Sequence, residues 1–373
     1  KNLPPNVPSI IRPQKHFETL LYTGNGATSS RAITGLEFAP DFVWLKNRES
    51  TYHHQLHDTV RGTSGGVLYS NNDQDEDPIY SLASFDSNGF SIAKDANQNG
   101  QNNNGDDYVA WCWKAGGAAV SNTEGTITGQ VSANTTAGFS IISYTGNGTA
   151  GATIGHGLGA IPQVVIVKRR NAAEDWMVGI GPVLGSGEEG HYVKLNSSAA
   201  RATGNGPFNS TNPTSSLVTL GSDVATNNSG DTYIAYCWTS IPGYSKFGSY
   251  EGNQDANGTY VHLGFKPAWI IVKNADNSSN RHWCIVDTTR TTFNKSASAE
   301  VLFADDSQVE SYANNNYGQF GSKPAIDILS NGFKVREGET SAYTQFNRSN
   351  THIYMAFAEQ PGTTPFETFP NAR

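Results

Sequence analysis

Short apolar runs separated by clusters of Gly, Asn and Asp recur along the whole chain, and no window carries an apolar stripe at helical spacing. The run Tyr108-Val-Ala-Trp-Cys-Trp113 reads as a strand with Tyr108, Ala110 and Cys112 on one face and Val109, Trp111 and Trp113 on the other. Val164-Val-Ile-Val167 and Trp269-Ile-Ile-Val272 are continuously apolar, which fits strands covered on both faces or lying at a domain junction. Between such runs lie stretches like Gln98-Asn-Gly-Gln-Asn-Asn-Asn-Gly105. These cannot sustain a helix, because Asn competes for backbone hydrogen bonds and Gly loses the most backbone entropy. The pattern predicts an all-β chain.

The runs are ordered, and the order repeats. Tyr22-Thr-Gly-Asn-Gly26 returns as Tyr144-Thr-Gly-Asn-Gly148 and, modified, as Tyr250-Glu-Gly-Asn253. Each copy is followed by a proline that opens a strand ending in lysine six residues later: Pro40 to Lys46, Pro162 to Lys168 and Pro267 to Lys273. An Asn-rich approach then leads into an aromatic strand beginning at Tyr108, Tyr233 or Tyr354, and aligning these places Ala110, Ala235 and Ala356 in one small-residue slot. Cys112, Cys237 and Ala358 fill a second. Ser87-Asn-Gly-Phe90 and Ser330-Asn-Gly-Phe333 are shared by the first and third copies. A spacing of 122 and then 106 residues between the three Tyr landmarks is a domain period, longer than a solenoid or propeller repeat. The expected organisation is an extended N-terminal arm over 1–16, repeat 1 over 17–117, a linker over 118–137, repeat 2 over 138–240, and repeat 3 with a C-terminal tail over 241–373. Ala115–Asn122 marks the first junction. Ser240-Ile-Pro-Gly243 marks the second, short enough that repeats 2 and 3 should pack together. With about 100 residues per repeat, a β-sandwich of jelly-roll type is the expected closure of each.

Charge narrows the partners. Lys and Arg total 25 against 33 Asp and Glu, for a net charge of −8, and no basic run is present, so a nucleic-acid partner is not expected. No stretch reaches the ~18 apolar residues of a membrane span, and no secretory signal is visible. The first residue is Lys1, which suggests a processed or truncated part of a longer chain. The arm, Lys1 to Pro13, is Pro-rich and extended, with Ile10-Ile11 suited to docking. Three cysteines are too few for a disulfide framework and read as buried free thiols.

Several clusters carry candidate chemistry. In Tyr52-His-His-Gln-Leu-His-Asp58, strand alternation puts His53, Gln55 and His57 on one face and His54, Leu56 and Asp58 on the other. Two imidazoles at that spacing could share a metal if a third ligand came from elsewhere; hydrogen-bonded histidines on a partly exposed strand are the simpler reading. Asp58-Thr-Val-Arg61 and Asp287-Thr-Thr-Arg290 fit local ion pairs or turn caps, with a sugar-binding pair as the alternative. Asp73-Gln-Asp-Glu-Asp77 fits a solvated loop, with calcium as its alternative. The Gly24-Asn-Gly26 type of segment fits hairpin turns. Trp44, Trp176 and Trp283 lie near strand ends, where stacking on sugar rings would favour a lectin-like or carbohydrate-active module. None of these amounts to a catalytic constellation. The reading assigns no catalytic residue, metal ligand or cofactor, and leaves binding residues unknown.

The ordered motifs Phe139 to Gly159, Gly230 to Trp238, Tyr244 to Asn253 and Ile353 to Pro361 resemble a repeated domain of unassigned function found in structural and tail-fibre-type proteins of marine tailed bacteriophages. The resemblance runs from Phe17 to Arg373. It implies a non-enzymatic virion protein on the particle surface, a tail-fibre or host-adhesion component, with capsid decoration as the alternative. Its implied partners are other virion proteins, copies of itself (a homotrimer) and a host-surface glycan or receptor. The third repeat departs from the pattern at Glu251 and Ala358-Glu359 and is longer between Lys273 and its aromatic strand.

Overall fold

A computed structural model describes residues 10–27, 29–78, 82–92, 100–277, 281–290, 300–310, 325–336 and 345–359. Among them the fold is almost entirely antiparallel β-structure, with only one-turn helices such as Gly181–Leu184 and Val224–Asn227.

Repeat 1 forms a five-stranded sheet in the spatial order Phe17–Thr23, Asp107–Trp113, Phe42–Asn47, Gln55–Asp58, Leu68–Tyr69. A three-stranded sheet, Arg31–Thr34, Gly89–Ile92 and Leu82–Asp86, covers one of its faces. Repeat 3 repeats this order with Ser245–Glu251, Thr351–Ala358, Pro267–Asn274, Cys284–Asp287 and Leu302–Phe303. Its small sheet is Tyr260–His262, Gly332–Val335 and Ile326–Leu329. Repeat 2 has the same centre, Phe139–Thr145, Thr232–Trp238, Val164–Arg169, Met177–Gly179 and His191–Lys194, extended at both edges. One extension is Ala202–Thr203; the other is Val120–Asn122 with Gly129–Asn134, so the stretch expected as a linker supplies two strands to repeat 2. Thr153–Gly155 and Leu217–Thr219 form its small sheet.

The first strand of each repeat ends in the Tyr-x-Gly-Asn segment, which is not a hairpin turn. Phe17–Thr23 pairs with Asp107–Trp113, whereas the next strand, Arg31–Thr34, joins the other sheet. The segment is a crossover clasped to the Asn-rich loop. The Tyr22, Tyr144 and Tyr250 hydroxyls donate to the carbonyls of Gln101, Thr226 and Phe346 at 2.9, 2.6 and 2.7 Å. The backbone N–H groups of Asn25, Asn147 and Asn253 donate to the side-chain oxygens of Asn102, Asn227 and Asn347. Glycine is required between them: a Cβ on Gly24, Gly146 or Gly252 would lie 2.0, 2.4 or 1.9 Å from a carbonyl oxygen of that loop.

Strand register corrects the alignment of the third repeat by two residues. Tyr22 lies opposite Tyr108 and Tyr144 opposite Tyr233, but Tyr250 lies opposite His352, not Tyr354. The three ring pairs stack alike, with centroids 4.9, 5.1 and 4.9 Å apart. Ala110 and Ala235 therefore correspond to Tyr354, Cys112 and Cys237 to Ala356, and Trp113 and Trp238 to Phe357. A two-residue slip keeps every side chain on its original face, which is why the motif match concealed it. The bulk of Tyr354 is accommodated by the residue opposite: Leu20 faces Ala110 and Ile142 faces Ala235, but Gly248 faces Tyr354. A Cβ on Gly248 would meet the tyrosine hydroxyl at 2.9 Å.

Each large sheet buries both faces. One packs on its own small sheet over a private core, such as Ile33, Val43, Phe90 and Tyr108 in repeat 1. The other faces a core that all three repeats share, and this joint core is the chief departure from domains strung in series. Trp111, Trp113, Tyr236, Trp238, Trp269 and Phe357 all belong to it. Phe42 lies 4.7 Å from Tyr236, Phe17 lies 5.0 Å from Phe357 and Trp113 lies 5.5 Å from Trp269, centroid to centroid. Ile10 of the arm is buried there as well, while Ile11 is exposed; residues 1–9 lie outside the described residues.

Candidate functional site

The polar landmarks of the sequence converge on the seams between repeats. Three backbone bonds define equivalent seams: Glu76 N–H donates to the Arg170 carbonyl, Glu310 N–H to Arg48 and Arg201 N–H to Ala275, at 2.8, 2.9 and 2.5 Å. The three donors each fall seven residues beyond the equivalent strand ends Tyr69, Phe303 and Lys194. Repeat 1 thus meets repeat 2, repeat 2 meets repeat 3, and repeat 3 meets repeat 1. Head-to-tail contacts of one kind that join three units in this order close a ring.

Around each backbone bond the side chains repeat. Asp58 and Arg61 form a fully buried pair at 2.6 Å, and Arg61 goes on to Glu76 at 2.6 Å, which reaches Arg170 of repeat 2 at 2.8 Å. Asp287 and Arg290 pair at 2.5 Å, Arg290 holds Glu310 at 2.5 Å, and Glu310 meets Arg48 of repeat 1 at 2.7 Å. Both aspartates also accept from a neighbouring repeat: Tyr236 hydroxyl to Asp58 at 2.8 Å, and the Trp111 indole to Asp287 at 3.0 Å. Burial alone would disfavour the charge on each arginine, but the surrounding carboxylates hold both guanidinium groups above their ordinary value. The Asp-x-x-Arg segments are local ion pairs, as expected, yet their carboxylates are spent on joining repeats, with neither partner exposed to a sugar.

The strand-end lysines serve the same seams. Lys168 donates to the Asp73 carbonyl of repeat 1 at 3.1 Å and Lys273 to the Ser198 carbonyl of repeat 2 at 3.3 Å. Lys46 is held at 2.6 Å by its neighbour's carbonyl at Asn47 and lies in the field of Asp306 and Glu310 of repeat 3. Burial pushes Lys46 down to about 7, and Lys168 and Lys273 down to about 8. The acidic run is a loop exposed to solvent at Asp73, Gln74 and Asp75, as expected, and it also serves the seam: it supplies the Asp73 carbonyl, the Glu76 carboxylate, and Asp77, which accepts from Tyr69.

Trp176 and Trp283 are interface residues too. Their indoles donate to the carbonyls of Tyr69 and Lys194 in the adjacent repeats at 2.8 and 2.9 Å. The equivalent residue of repeat 1 is His54, which faces the Phe303 carbonyl in a looser geometry that leaves Nε2 short of a full hydrogen bond. Trp44 is buried and donates to His54 Nδ1 at 2.9 Å. With all three indoles buried, none is placed to stack on a sugar, and this removes the feature that favoured the carbohydrate reading.

The histidine cluster divides as alternation predicts. His54 enters the joint core, stacked on Trp111, while His57 lies on the opposite face beside Gln101. His53 is exposed and bonded to Asn71. Burial holds His57 down at about 3 and His54 well below its ordinary value, so both are neutral at pH 7. No group of three or more His, Cys, Asp or Glu side chains poised to hold a metal occurs among the described residues. Cys112, Cys237 and Cys284 are buried free thiols, and burial pushes Cys112 and Cys237 upward, away from thiolate chemistry. A recess in repeat 2 lined by Val165, Pro182, His191, Phe208 and Asn212 has room for about 20 Å³, enough for a water molecule.

Fold and seams together define a class: an all-β protein of three related units closed around a shared core, whose polar design lies in joints between units. The chain belongs to the family of the domain of unknown function DUF7483, whose match covers residues 12–361 and so spans all three repeats. No curated protein and no solved structure matches it.

Proposed function

We propose that this protein is a non-enzymatic structural component displayed on a phage particle, acting as a tail-fibre or host-adhesion element. The observation that supports this most is where the repeated residues go. The Tyr-x-Gly-Asn clasp, the strand-end lysines and the Asp-x-x-Arg pairs all serve folding and inter-repeat joints, as expected of a body selected for rigidity and surface. In this reading each two-layer repeat is a jelly-roll-related sandwich, with first strand beside last and second beside seventh. Capsid decoration is the second reading, favoured by the ring itself, since three near-equivalent units suit a threefold position in a larger assembly. The partners proposed are other virion proteins, copies of this chain and a host-surface glycan.

For adhesion, the surface we propose is the small sheet of repeat 3. Tyr260 is the one large aromatic among the exposed hydrophobic residues described, and its hydroxyl lies 3.2 Å from His262 Nδ1. An exposed ring edged by polar groups suits a sugar face. Purified protein applied to an array of bacterial surface glycans is expected to bind, and Tyr260→Ala to weaken binding at least several-fold without changing the melting temperature. Antibody labelling of intact particles is expected to mark the surface, on tail or on capsid. Unlabelled particles, or release of products from host polysaccharide, would refute the proposal.

A further inference from the structure

The third seam is written in the opposite charge. Where repeats 1 and 3 present Glu76 and Glu310 to an arginine, repeat 2 presents Arg201, which binds Asp276 of repeat 3 at 2.8 Å. Glu188 of repeat 2 also contacts Arg201, at 3.4 Å. The position matching Arg48 and Arg170 is Ala275, immediately before Asp276. The neighbouring hydrogen-bonded pair is altered too. Strand register makes Ile180 of repeat 2 the counterpart of Asp58 and Asp287, and Met355 of repeat 3 the counterpart of Trp111 and Tyr236. The seam that lost its carboxylate acceptor has therefore lost its donor as well, and both replacements are buried in the joint core.

We propose that this reversal fixes the cyclic order in which the repeats close. In a ring of the opposite sense, repeat 1 would present Glu76 to Asp276 and repeat 2 would present Arg201 to Arg48. Only Glu310 against Arg170 would remain attractive. The buried pairs fail at the same two seams: Asp58 would face Met355 with its acceptor unmet, and Ile180 would face the Trp111 indole with its donor unmet. Like charges brought together and buried polar groups left unpaired both oppose assembly. Two independent codes, one of charge and one of hydrogen bonding, thus select the same order. They act equally against a ring built from two chains in which repeat 2 meets repeat 2, since Arg201 would then oppose Arg170.

The test is the full chain carrying Arg201→Glu with Asp276→Arg, which keeps opposite charges across the native seam, makes the charge pattern of all three seams alike and leaves the buried Ile180 and Met355 in place. Refolding by dilution from urea at low salt is followed by size-exclusion chromatography and limited proteolysis. The wild type is expected to return at its native size with one protease-resistant pattern. The double variant is expected to give a several-fold larger share of species above that size, or of native-size protein with a different pattern. The wild type should shift the same way in about 1 M salt, where charges are screened over about 3 Å. The native fraction of the double variant should melt within a few degrees of wild type. Equal refolding yields at low salt would overturn the proposal, and so would a native fraction that melts far lower, because instability would then account for the loss.

Discussion

An Asp287→Ala variant should unfold with about 3–5 kcal/mol less stability than the wild type, the range expected when one partner of a buried ion pair is removed. The change removes one of the two carboxylates that hold the Arg290 guanidinium, which is fully buried, lies over the Trp111 ring at 5.4 Å and keeps only Glu310 as an ion-pair partner. It also leaves the Trp111 indole N–H without its acceptor across the seam. Urea denaturation measures the loss, and a cycle with Trp111→Phe separates the inter-repeat share from the local one. The two changes should couple by about 1 kcal/mol or more, because the 3.0 Å bond joins residues of repeats 3 and 1. Additive losses would mean that the seam carries no energy of its own.

Acid should weaken the protein well above the range in which carboxylates titrate. Burial holds His352 down at about 4 and His57 at about 3, with His54 also lowered, whereas an unfolded histidine protonates near 6.5. A base depressed in the folded state contributes stability that is present above the unfolded value and lost as pH falls toward the folded one. The loss therefore begins near pH 6.5 and continues to about pH 3–4, reaching roughly 3 kcal/mol from His352 alone. Glu18 works in the other direction. Burial raises it to about 7, so it regains some stability as pH drops through the interval from 7 to 4.5, and burial raises Asp41 and Asp306 as well. His16, His53 and His156 are lowered along with the three histidines already named, so six groups oppose three. His352→Tyr provides the control. Tyr108 and Tyr233 occupy the equivalent place, and Asn47 donates to the Tyr108 hydroxyl as Asn274 meets His352. That variant should keep the stacked pair with Tyr250 and show a shallower fall in urea midpoint between pH 7 and 4.5. An unchanged slope would assign the acid sensitivity elsewhere.

Much of each repeat was legible in the sequence because its landmarks are local. A strand-opening proline, a glycine that must pass close to a carbonyl, and an alternating aromatic strand each obey rules that operate over a few residues. The continuous apolar runs at Val164–Val167 and Trp269–Val272 pointed to strands covered twice, as they are, by a private core and the joint one. The ring itself was hidden because its joints link residues far apart in sequence. Glu310 and Arg48 are separated by 262 positions, and nothing in Asp73-Gln-Asp-Glu-Asp77 announces that an exposed loop also carries an interface. A signal did exist: Glu76, Arg201 and Glu310 keep a fixed distance from the end of the preceding strand. Reading it requires knowing where the short strands Leu68–Tyr69 and Leu302–Phe303 end, and two-residue strands leave no periodic trace. The slip at Tyr354 was invisible for a different reason, since a two-residue shift conserves sidedness, and only the exchange of bulk with Gly248 reveals it.

The shared core is tested most directly by native-state hydrogen exchange on the central strands Asp107–Trp113, Thr232–Trp238 and Thr351–Ala358. A single core predicts that all three exchange only through one global opening, with equal free energies that fall together as urea is added. A repeat whose central strand opens at a clearly lower free energy, while the other two stay closed, would contradict it.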